Sequence, residues 1–244
     1  MTTRENLRGS TNDPGLQAVA TQALELVGDG ARVGLGTGRA AAAFIAALGE
    51  RVRHGLMVAA VPTSAASALL AHEAGVPLID LNEDVMLDMI VDGADEVAPN
   101  LDLVKGWGGA LVKERIVASA SIRQVILVTR EKLVRALGER GRIPVEVIPL
   151  ARGLVIRRLR ALGLGAAVRI DSDGTRALLT ENGNLTLDCA LTESLGDGRA
   201  ARELEAAMLA MPGVVDTGLF LGTAERVLVG HPDGSVETLI RKAP

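Results

Sequence analysis

Apolar positions divide the chain into two kinds of pattern. Leu16, Val19, Ala20, Ala23, Leu24 and Val27 recur at helical spacing behind Asp13-Pro14, a capping acid followed by a proline suited to the first helical position. Gly28-Asp29-Gly30 ends that run. Short apolar runs follow at Arg32 to Leu35, Met57 to Val61, Leu78 to Leu81, Met86 to Val91 and Val125 to Thr129, with helical stretches at Arg39 to Leu48 and Ala65 to Ala74 between them. Strands alternating with helices predict a parallel sheet. Ligands of such sheets sit beyond the carboxyl ends of the strands, so the tips bearing Gly36, Ser64, Asp92 and Lys132 are expected on one edge. Residues 1–12 are polar and expected to be loose.

Around Pro144 the rhythm changes. A strand (Val145 to Ile148), a helix (Ala151 to Leu162), strands at Ala167 to Ile170, Ala177 to Thr180 and Leu185 to Cys189, a helix (Arg199 to Met211) and a strand (Val214 to Leu219) are predicted. Asn182-Gly183 is a hairpin signal, and strands accompanied by two helices describe a small α+β domain. Strands Arg226 to Val229 and Val236 to Ile240, turned by Asp233-Gly234, then return to the first domain. The predicted class is α/β, with a Rossmann-like parallel-sheet domain over 1–143 and 220–244 and a smaller α+β domain over 144–219.

Composition narrows the function classes. The 244 residues carry 48% hydrophobic side chains and a net charge of −4, with no basic excess that would suit nucleic acid. No apolar run approaches the roughly 20 residues of a membrane span. Met1-Thr2-Thr3-Arg4-Glu5-Asn6 lacks the apolar core of a signal peptide, and the lone Cys189 suits a reducing compartment; a cytoplasmic protein is expected. His54, His72 and His231 are scattered, so no metal is expected. Lysine occurs only at 105, 113, 132 and 242, arginine supplying the remaining positive charge; a retained lysine hints at a need for a compact ammonium.

The chemistry concentrates between Val91 and Ala118. Asp92 and Asp95 follow the buried-strand run Met89-Ile90-Val91. Lys105 then precedes a glycine-rich turn, Gly106-Trp107-Gly108-Gly109, that opens a helix carrying Glu114. Singly, these pieces fit an Asp-Gly turn and an ordinary helix start; in this order, acids and a lysine around a glycine turn suit proton movement on a small polyol. Earlier, Gly34-Leu35-Gly36-Thr37-Gly38 joins a strand to a helix and offers backbone N–H groups to an anion, or is simply a tight turn. Its glycine spacing falls one short of the dinucleotide fingerprint, and the next strand ends without the acid that would hold a ribose, so no nucleotide cofactor is expected. Pro62-Thr63-Ser64 offers hydroxyl caps for the next helix, and Thr63 reads as a plain N-cap.

Asp92-Gly93-Ala94-Asp95-Glu96, Lys105-Gly106, and Glu114 in its helix resemble the type A ribose-5-phosphate isomerase family. The resemblance runs from about Leu16 to Ile240 and includes Pro144-Val145-Glu146-Val147-Ile148-Pro149, Asn182-Gly183-Asn184, Pro212 to Val215 and Gly218 to Phe220. It implies a ferredoxin-like small domain, an aldose–ketose isomerisation through an enediol without metal or redox cofactor, and a homo-oligomer, dimer or tetramer. It also implies that Glu114 is the base, that Asp92 and Asp95 open the sugar ring and bind its hydroxyls, and that Lys105 is the cation near the reacting oxygens. Thr37, Gly38, Arg39, Ala40, Ser64, Gly93, Ala94, Gly106, Trp107, Gly108 and Lys132 are then the expected substrate-binding set. Where the family reads Gly-Thr-Gly-Ser-Thr, this chain has Gly36-Thr37-Gly38-Arg39-Ala40. A family lysine corresponds to Leu16, Trp107 stands within the glycine turn, and Arg130-Glu131 replaces the usual approach to Lys132. These departures leave two alternatives: the same chemistry on another sugar, or a non-catalytic sugar-phosphate binder. Asp92, Asp95, Lys105 and Glu114 together speak against the latter, since a binder has little use for a positioned base.

Overall fold

The structure, a computed structural model, describes residues 13–196 and 198–242. The loose segment expected over residues 1–12 lies outside the described residues. In chain order the elements are α1 (Pro14–Leu24), β1 (Ala31–Leu35), α2 (Arg39–Arg53), β2 (Val58–Pro62), α3 (Ala65–Ala74), β3 (Met89–Gly93), β4 (Glu96–Val97), β5 (Leu103–Val104) and α4 (Leu111–Ser119). There follow β6 (Gln124–Thr129), β7 (Ile143–Val147), α5 (Arg152–Ala161), β8 (Gly165–Val168), β9 (Leu185–Ala190), α6 (Gly198–Leu209), β10 (Val214–Thr217), β11 (Leu219–Phe220), β12 (Arg226–Gly230) and β13 (Val236–Ile240). Two compact units contain them. The first comprises Met1–Ala94, Lys113–Lys132 and Thr223–Pro244, and the second Asp95–Val112 and Leu133–Gly222.

In the first unit a six-stranded sheet has the order β13-β12-β6-β3-β1-β2, parallel except for the edge strand β13. The chain enters at β1, steps outward to β2, then crosses back to β3 on the other side of β1. That reversal makes the carboxyl ends of β1 and β3 the topological switch point, where open α/β sheets place their ligands. The core beneath is built from Leu16, Val19 and Ala23 of α1, Phe44, Ile45 and Leu48 of α2, and the buried strand residues Val33, Leu35 and Val91. Helix α1 starts where its cap predicts, with the Asp13 carboxylate accepting from the N–H groups of Gly15 and Leu16 at 2.9 and 3.2 Å. Leu78, an edge residue left partly exposed, makes only a single bridge to Ala60, so the strand predicted over 78–81 does not form.

In the second unit a four-stranded antiparallel sheet has the order β10-β7-β9-β8. With α5 between β7 and β8 and α6 between β9 and β10, this is the ferredoxin-like arrangement. Val155 and Leu159 of α5 and Met208 of α6 pack with Val145, Val147 and Leu187, so both helices cover one face. Glu146, fully buried, has the opposite strand parity, and its Oε1 accepts from the Thr180 hydroxyl and the Asn182 and Asn184 side-chain amides at 2.8–3.0 Å. The Pro144–Pro149 and Asn182–Asn184 motifs are therefore two halves of one contact. Strands predicted at 167–170 and 177–180 contract to β8 and isolated bridges, because Asp171 draws the N–H groups of Thr175 and Arg176 into a turn. A small sheet β11-β5-β4 completes the unit.

Candidate active site

At the switch point of the first unit, Asp92 ends β3 fully buried, and its Oδ1 accepts from the N–H groups of Thr37 (3.1 Å) and Gly93 (2.7 Å). Gly36, whose N–H reaches the Val91 carbonyl at 2.9 Å, has no room for a side chain: a Cβ there would lie 2.0 Å from Asp92 Oδ1 and 2.6 Å from its Cα. The glycine is required by the carboxylate beside it.

The Thr37 hydroxyl lies 2.8 Å from both the Thr63 hydroxyl and Ser64 Oγ. Ser64, with Ser67, forms the capping box of α3. Thr63 is not the cap its sequence position suggested. It is fully buried and donates to the Leu35 carbonyl at 3.0 Å, so its hydroxyl ties β1 to the end of β2. Ala40 is buried in the first turn of α2, while Gly38 and Arg39 are exposed.

Thr129 is the last residue of β6, and Glu131 and Lys132 follow directly. Burial pushes the Glu131 carboxyl up, but the Thr129 hydroxyl, its own N–H, and the Lys132 and Arg39 charges outweigh this and hold it below the usual carboxylate range. Arg39 and Lys132 therefore share a neighbourhood that includes a negative charge. In α4, Glu114 lies on the buried face with Leu111 and Val117, at 4% exposure, while its sequence neighbours Lys113 and Arg115 are only partly covered. A solvated helix position is excluded, and a carboxylate held away from water on a rigid helix is suited to general-base work.

The second unit holds Asp95 and Lys105. The Asp95 N–H donates to the Val104 carbonyl at 2.8 Å, and its Oδ2 accepts from the Trp107 N–H at 2.9 Å. Lys105 is 2% exposed, its N–H donates to the Gly218 carbonyl at 2.8 Å, and its ammonium lies 5.6 Å from the Phe220 ring centroid. The Gly218 to Phe220 motif thus supports the lysine. Trp107 is half-buried, its indole N–H donating to the Arg142 carbonyl at 3.3 Å, with the Arg142 and Arg140 guanidinium carbons 4.7 and 5.7 Å from the ring. Gly108 is exposed and Gly106 buried.

Three further contributors lie in this unit, of which Arg169 and Asp188 carried no signal in sequence and Glu96 stood in the family motif without an assigned role. Glu96, fully buried, accepts from the N–H groups of Gly138 (2.6 Å) and Arg140 (2.8 Å), and burial raises its carboxyl above the usual range against those bonds. Arg169 and Asp188 form a pair, Nε to Oδ2 at 2.9 Å, and Arg169 Nη1 also donates to the carbonyls of Gly106 and Trp107, each at 3.0 Å. Arg169 is 62–63 positions from the turn it holds, a separation that no local pattern reveals.

Among the described residues no group of three or more His, Cys, Asp or Glu side chains is placed to hold a metal ion, and no helix is long and apolar enough to cross a membrane. The thiol of Cys189 is pushed up to about 12 by burial and the adjacent Asp188 charge, which leaves it a poor nucleophile.

Residues 59–234 match the sequence model of the family described as ribose 5-phosphate isomerase A (phosphoriboisomerase A). A protein named ribose-5-phosphate isomerase A from Gloeobacter violaceus is 46% identical over 230 residues, 93% of this chain and 96% of that one. Its namesake from Roseiflexus castenholzii is 44% identical over 220 residues, 89% of this chain and 92% of that one. Among solved structures, ribose 5-phosphate isomerase A from Methanocaldococcus jannaschii superposes with a TM-score of 0.86 at 41% identity, covering 93% of this chain and 98% of that one. A D-ribose-5-phosphate isomerase in complex with phospho-erythronic acid gives 0.88 at 34% identity, covering 99% of this chain and 100% of that one.

Proposed function

Since the chain belongs to the ribose 5-phosphate isomerase A family, we propose that it interconverts ribose 5-phosphate and ribulose 5-phosphate through an enediol. The observation that carries this reading is the desolvated Glu114, a carboxylate set on the buried face of a helix at the position the resemblance gives to the base. In this reading Glu114 takes the proton from one carbon of the open-chain sugar and returns it to its neighbour. The electron pair released from the C–H bond forms the carbon–carbon double bond of the enediol, and the carbonyl oxygen takes up negative charge; that oxygen gains a proton as the neighbouring hydroxyl loses one, which leaves the new carbonyl when the carbon proton is returned.

Lys105, the nearly water-free ammonium, steadies that oxygen. Asp92 and Asp95, each oriented by a turn amide, bind hydroxyls and assist ring opening. Gly93, Ala94, Gly106, Trp107 and Gly108 line the sugar through their backbones. Thr37, Gly38, Arg39, Ala40, Ser64 and Lys132 form the phosphate side, where the amides at the start of α2 supply N–H donors. No step of this chemistry calls for a metal or redox cofactor. Phospho-erythronic acid, the ligand of the solved relative, joins a phosphate to a planar carboxylate whose two oxygens resemble those of an enediolate.

Glu114→Gln is expected to lower kcat by several orders of magnitude with little change in substrate binding, and to suppress solvent isotope exchange into the substrate carbon. Near-normal turnover in that variant would remove Glu114 from the mechanism. The protein is further read as a cytoplasmic homo-oligomer, most simply a two-fold dimer. Exposed Leu150 (96%) and Ile122 (66%) are apolar surface for such contacts. A monomer mass in light scattering at micromolar concentration would overturn the oligomer.

A further inference from the structure

We propose that Arg169, anchored by Asp188, is a positioning residue for the isomerisation: it fixes the peptide between Gly106 and Trp107 so that the Trp107 N–H stays aimed at the Asp95 carboxylate. The inference rests on the reading of Asp95 as a substrate-contacting group.

The Gly106 carbonyl and the Trp107 N–H are the two ends of one peptide unit. No cis bond occurs among the described residues, and a trans peptide points these ends in opposite directions. Arg169 Nη1 holds the carbonyl end at 3.0 Å, and Asp95 Oδ2 accepts from the N–H end at 2.9 Å. The same nitrogen holds the next carbonyl, that of Trp107, also at 3.0 Å. Gripping one end therefore sets the direction of the other.

This peptide needs such a grip. Gly106 has φ +97°, a conformation open to glycine, and a glycine-flanked peptide rotates at little cost. Turned over, it would present the Gly106 carbonyl to the Asp95 carboxylate, replacing an attraction with a repulsion. The guanidinium prevents this and also draws electron density toward the carbonyl, which strengthens the N–H as a donor. Arg169 acts with authority because its side chain is only 9% exposed and its far edge is committed to Asp188 in a two-pronged pair. Arg142 approaches the same Asp188 at 3.4 Å and receives the indole N–H on its carbonyl, so the turn is tied down from both the peptide and the ring.

A double-mutant cycle on ribose 5-phosphate turnover tests the inference. Arg169→Met is expected to lower kcat/KM by ten- to a hundredfold, Asp95→Ala by more, and the double variant no further than Asp95→Ala alone, within about twofold. Trp107, the only tryptophan, supplies a second readout: its emission should shift to the red and become more open to acrylamide in Arg169→Met. Losses that multiply across the two sites, or an unchanged kcat/KM in Arg169→Met, would overturn the proposal and leave Arg169 a fold-stabilising residue. Should Arg169→Met not fold, Asp188→Asn, which loosens the guanidinium without removing it, runs through the same cycle. An inactive wild-type protein would count against the isomerase reading itself. In that case Trp107 emission still decides whether the clamp exists, an unchanged spectrum refuting it.

Discussion

The molecule contains two glycine turns that perform the same local task by different means. In the first, the Thr37 N–H is delivered to Asp92; in the second, the Trp107 N–H is delivered to Asp95. The first turn is held by packing and neutral hydroxyls: Gly36 is pressed against Asp92, and Thr37, Thr63 and Ser64 share hydrogen bonds. The second is held by charge, with Arg169 on its carbonyls and two further arginines beside its tryptophan. A steric lock tolerates no added atom. An ionic clamp tolerates changes in the loop but not in its anchors.

Three substitutions press on that contrast. Gly36→Ala is expected to be the most damaging, because the new methyl group meets not a flexible chain end but the carboxylate and Cα of Asp92. Kcat/KM should fall by at least about a thousandfold, ~4 kcal/mol of transition-state stabilisation, with overpacking adding ~1–3 kcal/mol of lost stability. A variant with normal kinetics would show that the lock yields.

Arg39→Ala probes the anion side of the same turn. If the guanidinium reaches the phosphate in place of the missing hydroxyls, KM for a phosphorylated substrate should rise roughly ten- to a hundredfold, the ~1.5–3 kcal/mol of a charged hydrogen bond. Turnover of the free sugar should stay the same. Equal effects on both substrates, or none on either, would assign Arg39 to balancing Glu131 alone. The smallest effect is expected from Trp107→Gly, since Arg169 grips backbone rather than indole: kcat/KM should change by no more than about threefold, under ~1 kcal/mol. A loss as large as that of Arg169→Met would transfer the holding role to the ring.

The same contrast explains what the sequence made legible. The first turn could be read because its parts lie close together: an apolar run ending in Asp92, a strand–Gly-Thr-Gly–helix segment, and a serine cap at Ser64. The parallel sheet followed from hydrophobic periodicity, and the small α+β unit from periodicity together with the Asn182-Gly183 hairpin signal. Thr63 was misplaced as a cap because Thr63-Ser64 offers two adjacent hydroxyls, and only the strand ends decide which faces the helix. Arg169 and Asp188 were invisible because Arg169 holds carbonyls 62–63 positions away and Asp188 acts through the Arg169 and Arg142 side chains, while Glu96 stood in the family motif without revealing that it holds the Gly138 and Arg140 amides. The strand predicted at 78–81 fared no better, since its apolar run met only one neighbour at a sheet edge.

The place of β12 bears on how the protein is made. This strand lies between β6 and β13, and helix α1 rests against it so closely that a Cβ on Gly230 would come within 2.2 Å of the Gly15 carbonyl oxygen. Among the described residues, the first helix thus has its seat on a strand made about 200 residues later. The four-stranded sheet of the second unit, by contrast, is complete once translation has passed β10, and each of its strands lies within one continuous stretch of chain. During synthesis the inserted unit is free to fold first, while the apolar face of α1 waits for β12. Premature termination between Gly222 and Arg226 would release a product with one finished unit and one open sheet edge, a form suited to degradation or aggregation rather than to partial activity.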